Sequence, residues 1–510
     1  MNHPPSTDDA RANASAQRRV RAVALFAVIV VAGLIHLLGP LLLYPQPRDR
    51  TLEDGTLLRW VPCDFATPFW RPVHCGRLRL AESPPWELAV LYVPDVGWSG
   101  ADDPVLYLNG GPGASAYIDA DGIDYWLQWI DDLDTGRDWY IYEQRGTGQG
   151  EPSLTCEGLF PAYREQMAGN GPRAQLLARV QAVARNCFTR LQAEGWALDA
   201  LDTPLNAADA LALMEAVGRD EWNLFGSSYG TRLALELMRT APRRLRAVVL
   251  DGVYPPRVNM RLSAAWLMQH ALDRVAGWCA RDPLCSVENA DFASQYPRVF
   301  EQLKARPLAV RVDEPGGEPL TVRVDDSVLA DVVFSALYWW RSARQVPNLF
   351  NELHQGRDPV LLREMTAEYV AYVLDESISD PVMVAVDCHD AGAVSREDYF
   401  ASVDRFPLFS EAYREAWPHD TCHVMPGDGP GPGFREAVHS ALPTLLLSGE
   451  LDPVTPPVWA REAAHTLPNS FRLTLPGVGH GAVENASCVV DVVRTFLDAP
   501  NADPSGPCLE

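Results

Sequence analysis

The pentapeptide Gly226-Ser227-Ser228-Tyr229-Gly230 constrains this chain more than any other stretch. An apolar run at 222–225 precedes it, and Leu233, Leu235, Leu237 and Met238 follow at helical spacing. The pattern predicts a strand, a turn so tight that only glycine fits on either side, and a helix. Such a turn holds Ser228 at the strand end with its hydroxyl exposed, beside the Tyr229 N–H and the helix N-terminus. Glycine and serine also cluster in ordinary loops, so the neighbouring segments decide what the turn is for.

A serine hydroxyl is a weak nucleophile near neutral pH; it needs a base, and the base needs an orienting acid. Residues 443–448 read as a buried strand ending in Gly449-Glu450-Leu451-Asp452-Pro453-Val454-Thr455-Pro456, which leaves Asp452 at the strand's C-terminal end. Residues 471–475 read as the next strand, followed by Pro476-Gly477-Val478-Gly479-His480-Gly481. Taken singly, Asp452 is a turn aspartate and His480 a loop histidine. In this order, each at a strand end, they read as acid and base to Ser228. Lys304 is the only lysine and lies in no strand-end context, which argues against a Ser-Lys pair. Upstream, the strand at 105–108 runs into Asn109-Gly110-Gly111-Pro112-Gly113. Two consecutive glycines there exceed what a turn requires. They let an N–H of Gly110 or Gly111 join that of Tyr229 in holding an oxyanion.

These segments resemble a family. Asn109-Gly-Gly-Pro-Gly is similar to the H-G-G-P-G segment of prolyl iminopeptidases, and Glu143-Gln144-Arg145-Gly146-Thr147-Gly148 to their D-Q-R-G-x-G segment. The Ser228, Asp452 and His480 motifs resemble more closely the secreted tripeptidyl aminopeptidases of the same superfamily. So does Ala385-Val386-Asp387-Cys388-His389-Asp390, which is similar to an A-x-x-C-x-D segment after their lid. Asn109 stands where histidine is usual and Glu143 where aspartate is usual. The likeness runs from about residue 58 to the C-terminus. It implies an α/β-hydrolase fold, a mostly parallel sheet with an inserted, mainly helical lid, and a Ser-Asp-His triad needing no cofactor. The expected substrates are peptides with a free N-terminus, from which one to three residues are released. Burying the ammonium of such a peptide requires a carboxylate partner; Glu143, Asp387 and Asp390 are the candidates. An exported carboxylesterase is the rival enzyme, and a membrane-tethered binding protein with a dead hydrolase fold is the rival from another class.

The N-terminus bears on location. Arg18, Arg19 and Arg21 precede an apolar run at 22–44, long enough at about 1.5 Å per residue to cross a hydrocarbon core of roughly 30 Å. Basic residues before the span leave residues 1–21 as a cytoplasmic tail and export the rest. No small-residue cleavage site is clear after the run, so an uncleaved signal anchor is expected in the bilayer, with a secreted form as the alternative. Ten cysteines, Cys63, Cys75, Cys156, Cys187, Cys279, Cys285, Cys388, Cys422, Cys488 and Cys508, all lie beyond it. An even count in an exported chain implies disulfides, and pairing between neighbours in chain order closes the shortest loops. No C-x-x-C occurs, so a metal site has little support. A net charge of −24 argues against nucleic acid as a partner.

Strands are expected at 88–93, 105–108, 139–142, 222–225 and 247–250, alternating with helical stretches such as 175–192 and 207–217. Residues 46–57 read as a polar linker. The core's first part then spans 58–255, the lid 256–435, with a Pro/Gly-rich return loop at 425–433, and the core's last part 436–510.

Overall fold

The computed structural model describes residues 23–33, 47–68, 71–95, 101–313, 318–357, 359–425 and 427–508. Its strands in chain order are β1 (Arg50–Thr51), β2 (Leu57–Val61), β3 (His74–Arg79), β4 (Glu87–Val93), β5 (Val105–Leu108), β6 (Trp139–Tyr142), β7 (Trp222–Ser227), β8 (Leu245–Asp251), β9 (Leu308–Val312), β10 (Leu320–Val324), β11 (Thr444–Gly449) and β12 (Ser470–Leu475). Ten of them form one sheet in the order β1-β2-β3-β4-β6-β5-β7-β8-β11-β12. From β6 to β12 every neighbour is parallel, and from β1 to β6 every neighbour is antiparallel. The parallel half was legible because its strands, covered by helices on both faces, are short unbroken apolar runs. Within the antiparallel part, β4 was expected at 88–93, but the outer edge was not. Arg59, Arg77 and Arg79 interrupt it, and its side chains alternate between buried and solvent-facing. The segment 46–57 is therefore more than a linker, since Arg50 and Thr51 pair with Leu58 and Leu57.

One face of the sheet packs on the helices Thr203–Val217 and Tyr229–Thr240, the other on Ile123–Leu133 and Ser487–Asp498. Between β8 and β11 the chain makes a long excursion of helices, together with the antiparallel hairpin β9–β10, which the sequence reading did not anticipate. This insertion has a hydrophobic core of its own, built on Phe292, Phe300, Val322, Leu329 and Phe350. The helix expected at 175–192 is present as Arg173–Ala193, but it serves both layers. Its Ala184 and Phe188 join the sheet-side core, while Gln181 Nε2 donates to the Asp420 carbonyl of the insertion at 2.9 Å.

Five disulfides join Cys63–Cys75, Cys156–Cys187, Cys279–Cys285, Cys388–Cys422 and Cys488–Cys508, each to its neighbour in chain order as expected. So oxidised a chain belongs to a compartment outside the cytoplasm, extracellular or periplasmic. Of the apolar run at 22–44, only 23–33 is described, as a helix with almost all of its side chains exposed. Among the described residues no helix is long and apolar enough to cross a membrane. The rest of that run, and the 1–21 tail, lie outside them.

Candidate active site

β7 delivers Ser228 to the sheet's C-terminal edge, at φ 54° and ψ −119°. A non-glycine residue there costs about 1–3 kcal/mol of backbone strain. Its surroundings impose it: the Ser228 N–H donates to the Asp251 carbonyl (2.8 Å), and the Ser228 carbonyl accepts from Thr231 Oγ1 (2.6 Å). Only glycine fits the flanks. A Cβ on Gly226 would lie 2.5 Å from the Gly230 carbonyl oxygen, and one on Gly230 would lie 1.9 Å from that of Leu108.

Asp452 follows β11 and is almost fully buried. Its Oδ1 accepts from the backbone of Val454 (2.9 Å) and Thr455 (2.7 Å), and its Oδ2 from Thr455 Oγ1 (2.6 Å) and His480 Nδ1 (2.8 Å). Burial opposes its charge, yet facing His480 and these bonds outweigh burial and hold the carboxyl below its ordinary value. Burial also opposes charge on His480, but Asp452, with Asp251 and Glu484 behind it, raises the imidazole above its usual value. The histidine loop is fixed from two sides. Asp251, at the end of β8, accepts from the N–H groups of Ala482 (2.8 Å) and Val483 (3.0 Å). The insertion holds the other side: the His480 N–H donates to the Tyr338 carbonyl (3.1 Å), and the two rings meet edge to face at 4.8 Å.

The glycine loop lies against the elbow. A Cβ on Gly110 would lie 3.2 Å from Ser228 Cβ, so any side chain there would crowd the elbow. Asn109 braces the loop by donating from Nδ2 to the carbonyls of Ala114 and Ser115, both at 2.9 Å. The same loop is stitched to the insertion. Ser115 N–H donates to the Ser377 carbonyl (2.9 Å), Ser379 N–H to that of Gly113 (2.8 Å), and Ala114 pairs with Ile378.

The three acids expected to meet a substrate amine separate here. Glu143 is fully buried and accepts from Ser115 Oγ (3.0 Å), the Ala116 N–H (2.9 Å) and Thr147 Oγ1 (2.8 Å). It holds the glycine loop and has no room for a ligand. Asp390 accepts from the Thr203 N–H (3.1 Å) and Oγ1 (2.6 Å) and pairs with Arg232 at 3.2 Å. Arg232 in turn reaches the carbonyls of Pro255 (2.9 Å) and Val258 (2.7 Å) and lies 3.5 Å from the Tyr254 ring centroid. Asp390 is thus part of the packing beneath the elbow helix. Asp387, one turn earlier on the helix Asp380–Ala391, is half-buried, and among the described residues nothing donates a hydrogen bond to it. Burial pushes its carboxyl up to about 7, against the pull of Arg232 and with the push of Asp390. It lies within the field of Tyr254 on the core side and of Tyr338 and Tyr372 on the insertion side.

Sequence reasoning did not find Asp251, Thr455, Arg232 or Tyr338. A carboxylate at the end of β8, the strand after the elbow, was the one signal at hand for Asp251. Arg232 and Tyr338 act through contacts between distant segments, and Thr455 through a local bond that an ordinary turn threonine would also make. Among the described residues no cluster of histidine, cysteine and acids is placed to hold a metal.

A serine at a strained strand–helix turn, a histidine–aspartate pair on later strand ends and a glycine loop beside them define a class. The chain belongs to the alpha/beta hydrolase fold family, which it matches over residues 103–486. It is 24% identical over 527 residues to the serine protease Hip1 of Mycobacterium tuberculosis, covering 95% of this chain and 96% of that one. It is 24% identical over 460 residues to the tripeptidyl aminopeptidase of Streptomyces lividans, covering 86% and 80%. Among solved structures, the proline iminopeptidase of Mycobacterium smegmatis overlays with a TM-score of 0.38 at 15% identity, covering 87% of this chain and 98% of that one.

Proposed function

We propose that this chain is a serine aminopeptidase that releases one to three residues from the free N-terminus of peptides. Ser228 attacks the scissile carbonyl while His480 takes its proton, and Asp452 holds the imidazole and favours its cation. The N–H groups of Tyr229 and of Gly110 or Gly111 hold the oxyanion, and water then hydrolyses the acyl-enzyme. The relatives named serine protease and tripeptidyl aminopeptidase support peptides as substrates.

The observation that carries the amino-terminal specificity is Asp387. It is the one acid of the three candidates with no hydrogen-bond donor among the described residues, and its charge acts on the tyrosine that packs on His480. A substrate ammonium supplies the positive charge this half-buried carboxyl lacks. Comparing a tripeptidyl arylamide with its N-acetylated form tests the reading. The free amine is expected to be strongly preferred; equal kcat/KM values would move the assignment to an endopeptidase or an esterase.

The same reading tethers the catalytic part to the outer face of the cell membrane through the apolar run at 22–44. The protein is then expected in the membrane fraction after a high-salt wash. Recovery of a soluble form beginning near Pro45 would replace the tether with a cleaved signal and leave export intact.

A further inference from the structure

A cavity of about 290 Å³ opens between the helix Leu159–Ala168 and the insertion, walled by Tyr163, Met167, Phe334, Tyr369 and Tyr372, with the single, exposed carboxylate of Asp331 at its rim. No hydrogen bond or ion pair holds that carboxylate among the described residues. Arg173 acts on it from a distance but makes its own ion pair with Glu415, at 4.0 Å. The Tyr369 side chain is 6% exposed, and its hydroxyl likewise has no partner among the described residues although Asp331 acts on it. The rest of Tyr369 is buried, so its hydroxyl opens on the cavity with a bond left to give, which points to a ligand there.

Tyr372, in the wall of this cavity, leads by ring contacts towards His480. Its ring lies 5.5 Å from that of Tyr338, whose ring lies 4.8 Å from His480, and Asp387 acts on both tyrosines. Three extended residues span at most about 10 Å, which is the scale of those two steps from the imidazole. A tripeptidyl unit laid out from Ser228 in that direction would bring its amino-terminal residue towards Tyr372 and the cavity.

We propose that this cavity is a subsite for a basic side chain, lysine or arginine, on the amino-terminal residue of the substrate. Asp331 pairs with the charge, the aromatic faces favour a cation, and the aliphatic stem lies along Met167 and Phe334. The inference rests on the reading of Ser228 and Asp387 given above.

The test compares Lys-Ala-Ala-arylamide with its norleucine counterpart, which keeps the stem and removes the charge. Wild type is expected to prefer lysine by about tenfold in kcat/KM at the first residue and to show no such preference when the pair is moved to the second. Asp331→Asn is expected to bring the first-residue ratio near one, and Tyr369→Phe to lower it in part. Fluorophosphonate labelling of each variant checks that it is folded. A ratio near one in wild type, or an unchanged ratio in labelled Asp331→Asn, overturns the proposal. N-acetylation separates the two readings, because loss of amine dependence on both substrates sinks the aminopeptidase assignment whatever the lysine ratio is.

Discussion

The carboxylates packed around the candidate site and two on the insertion, Asp387 and Asp331, are treated differently by the fold. Asp452, Asp251, Glu143 and Asp390 are all buried, and each accepts at least two hydrogen bonds from named donors. Asp387 and Asp331 accept none among the described residues. The pair Asp387 and Asp390 makes the point within one helical turn. Satisfied acids fix geometry, whereas Asp387, half-buried without a partner, carries a standing cost that a ligand can relieve.

The sharpest way to break that distinction is at the proposed triad. Ser228→Ala and His480→Ala are each expected to lower kcat by at least about 10⁴-fold, with the double variant little worse, because the residues act as a unit. Asp452→Asn is expected to leave a small residual rate. More than a tenth of wild-type turnover in Ser228→Ala would mean the nucleophile lies elsewhere.

Asp390 and Asp387 should then part company. Asp390→Ala strands Arg232, which is 1% exposed, and should destabilise the fold by about 3–5 kcal/mol in chemical denaturation. Asp387→Asn should cost little stability and instead lower kcat/KM for free-amine substrates by about 100-fold, leaving acetylated ones alone. If both variants lose stability alike, the contrast between structural and ligand-facing acids is void.

Two pH dependences sharpen it further. The acid limb of kcat/KM should lie above the ordinary imidazole value of 6.5, because His480 must be neutral to act and its folded value is raised. Stability should show opposite signs. Asp452 titrates below its unfolded value, so its contribution is present above about pH 4 and is lost as pH falls through the folded value. Asp387 titrates above its unfolded value, so the native state binds the extra proton and stability declines as pH rises from about 4 to 7. Removing that acid should therefore raise the melting temperature at pH 8 relative to wild type by a few degrees and change little near pH 4. An unchanged difference between the two pH values would mean Asp387 is not shielded from water.

Much of this was legible in the sequence. The strands beneath the proposed triad read as apolar runs because a parallel sheet buries both faces, and the turn at Ser228 announced itself through Gly226 and Gly230. The edge strands β2 and β3 hid behind their arginines, which solvent tolerates on an outer strand. The three amine candidates were equivalent as letters. What separates them is whether Ser115, Thr147, Thr203 and Arg232 arrive from distant segments to satisfy the carboxylate, and no local pattern records that. Thr455 is the opposite case, only three residues from Asp452 yet invisible, because an ordinary turn threonine has the same spacing.

The pairing of each cysteine with the next in line has a consequence for biosynthesis. As the chain emerges through a membrane from its N-terminal side, Cys63 meets Cys75 first, and every later cysteine meets its partner before any competitor appears. The longest wait is 34 residues, between Cys388 and Cys422. An oxidant that simply joins thiols in order of arrival suffices, and no shuffling step is needed to reach the native set.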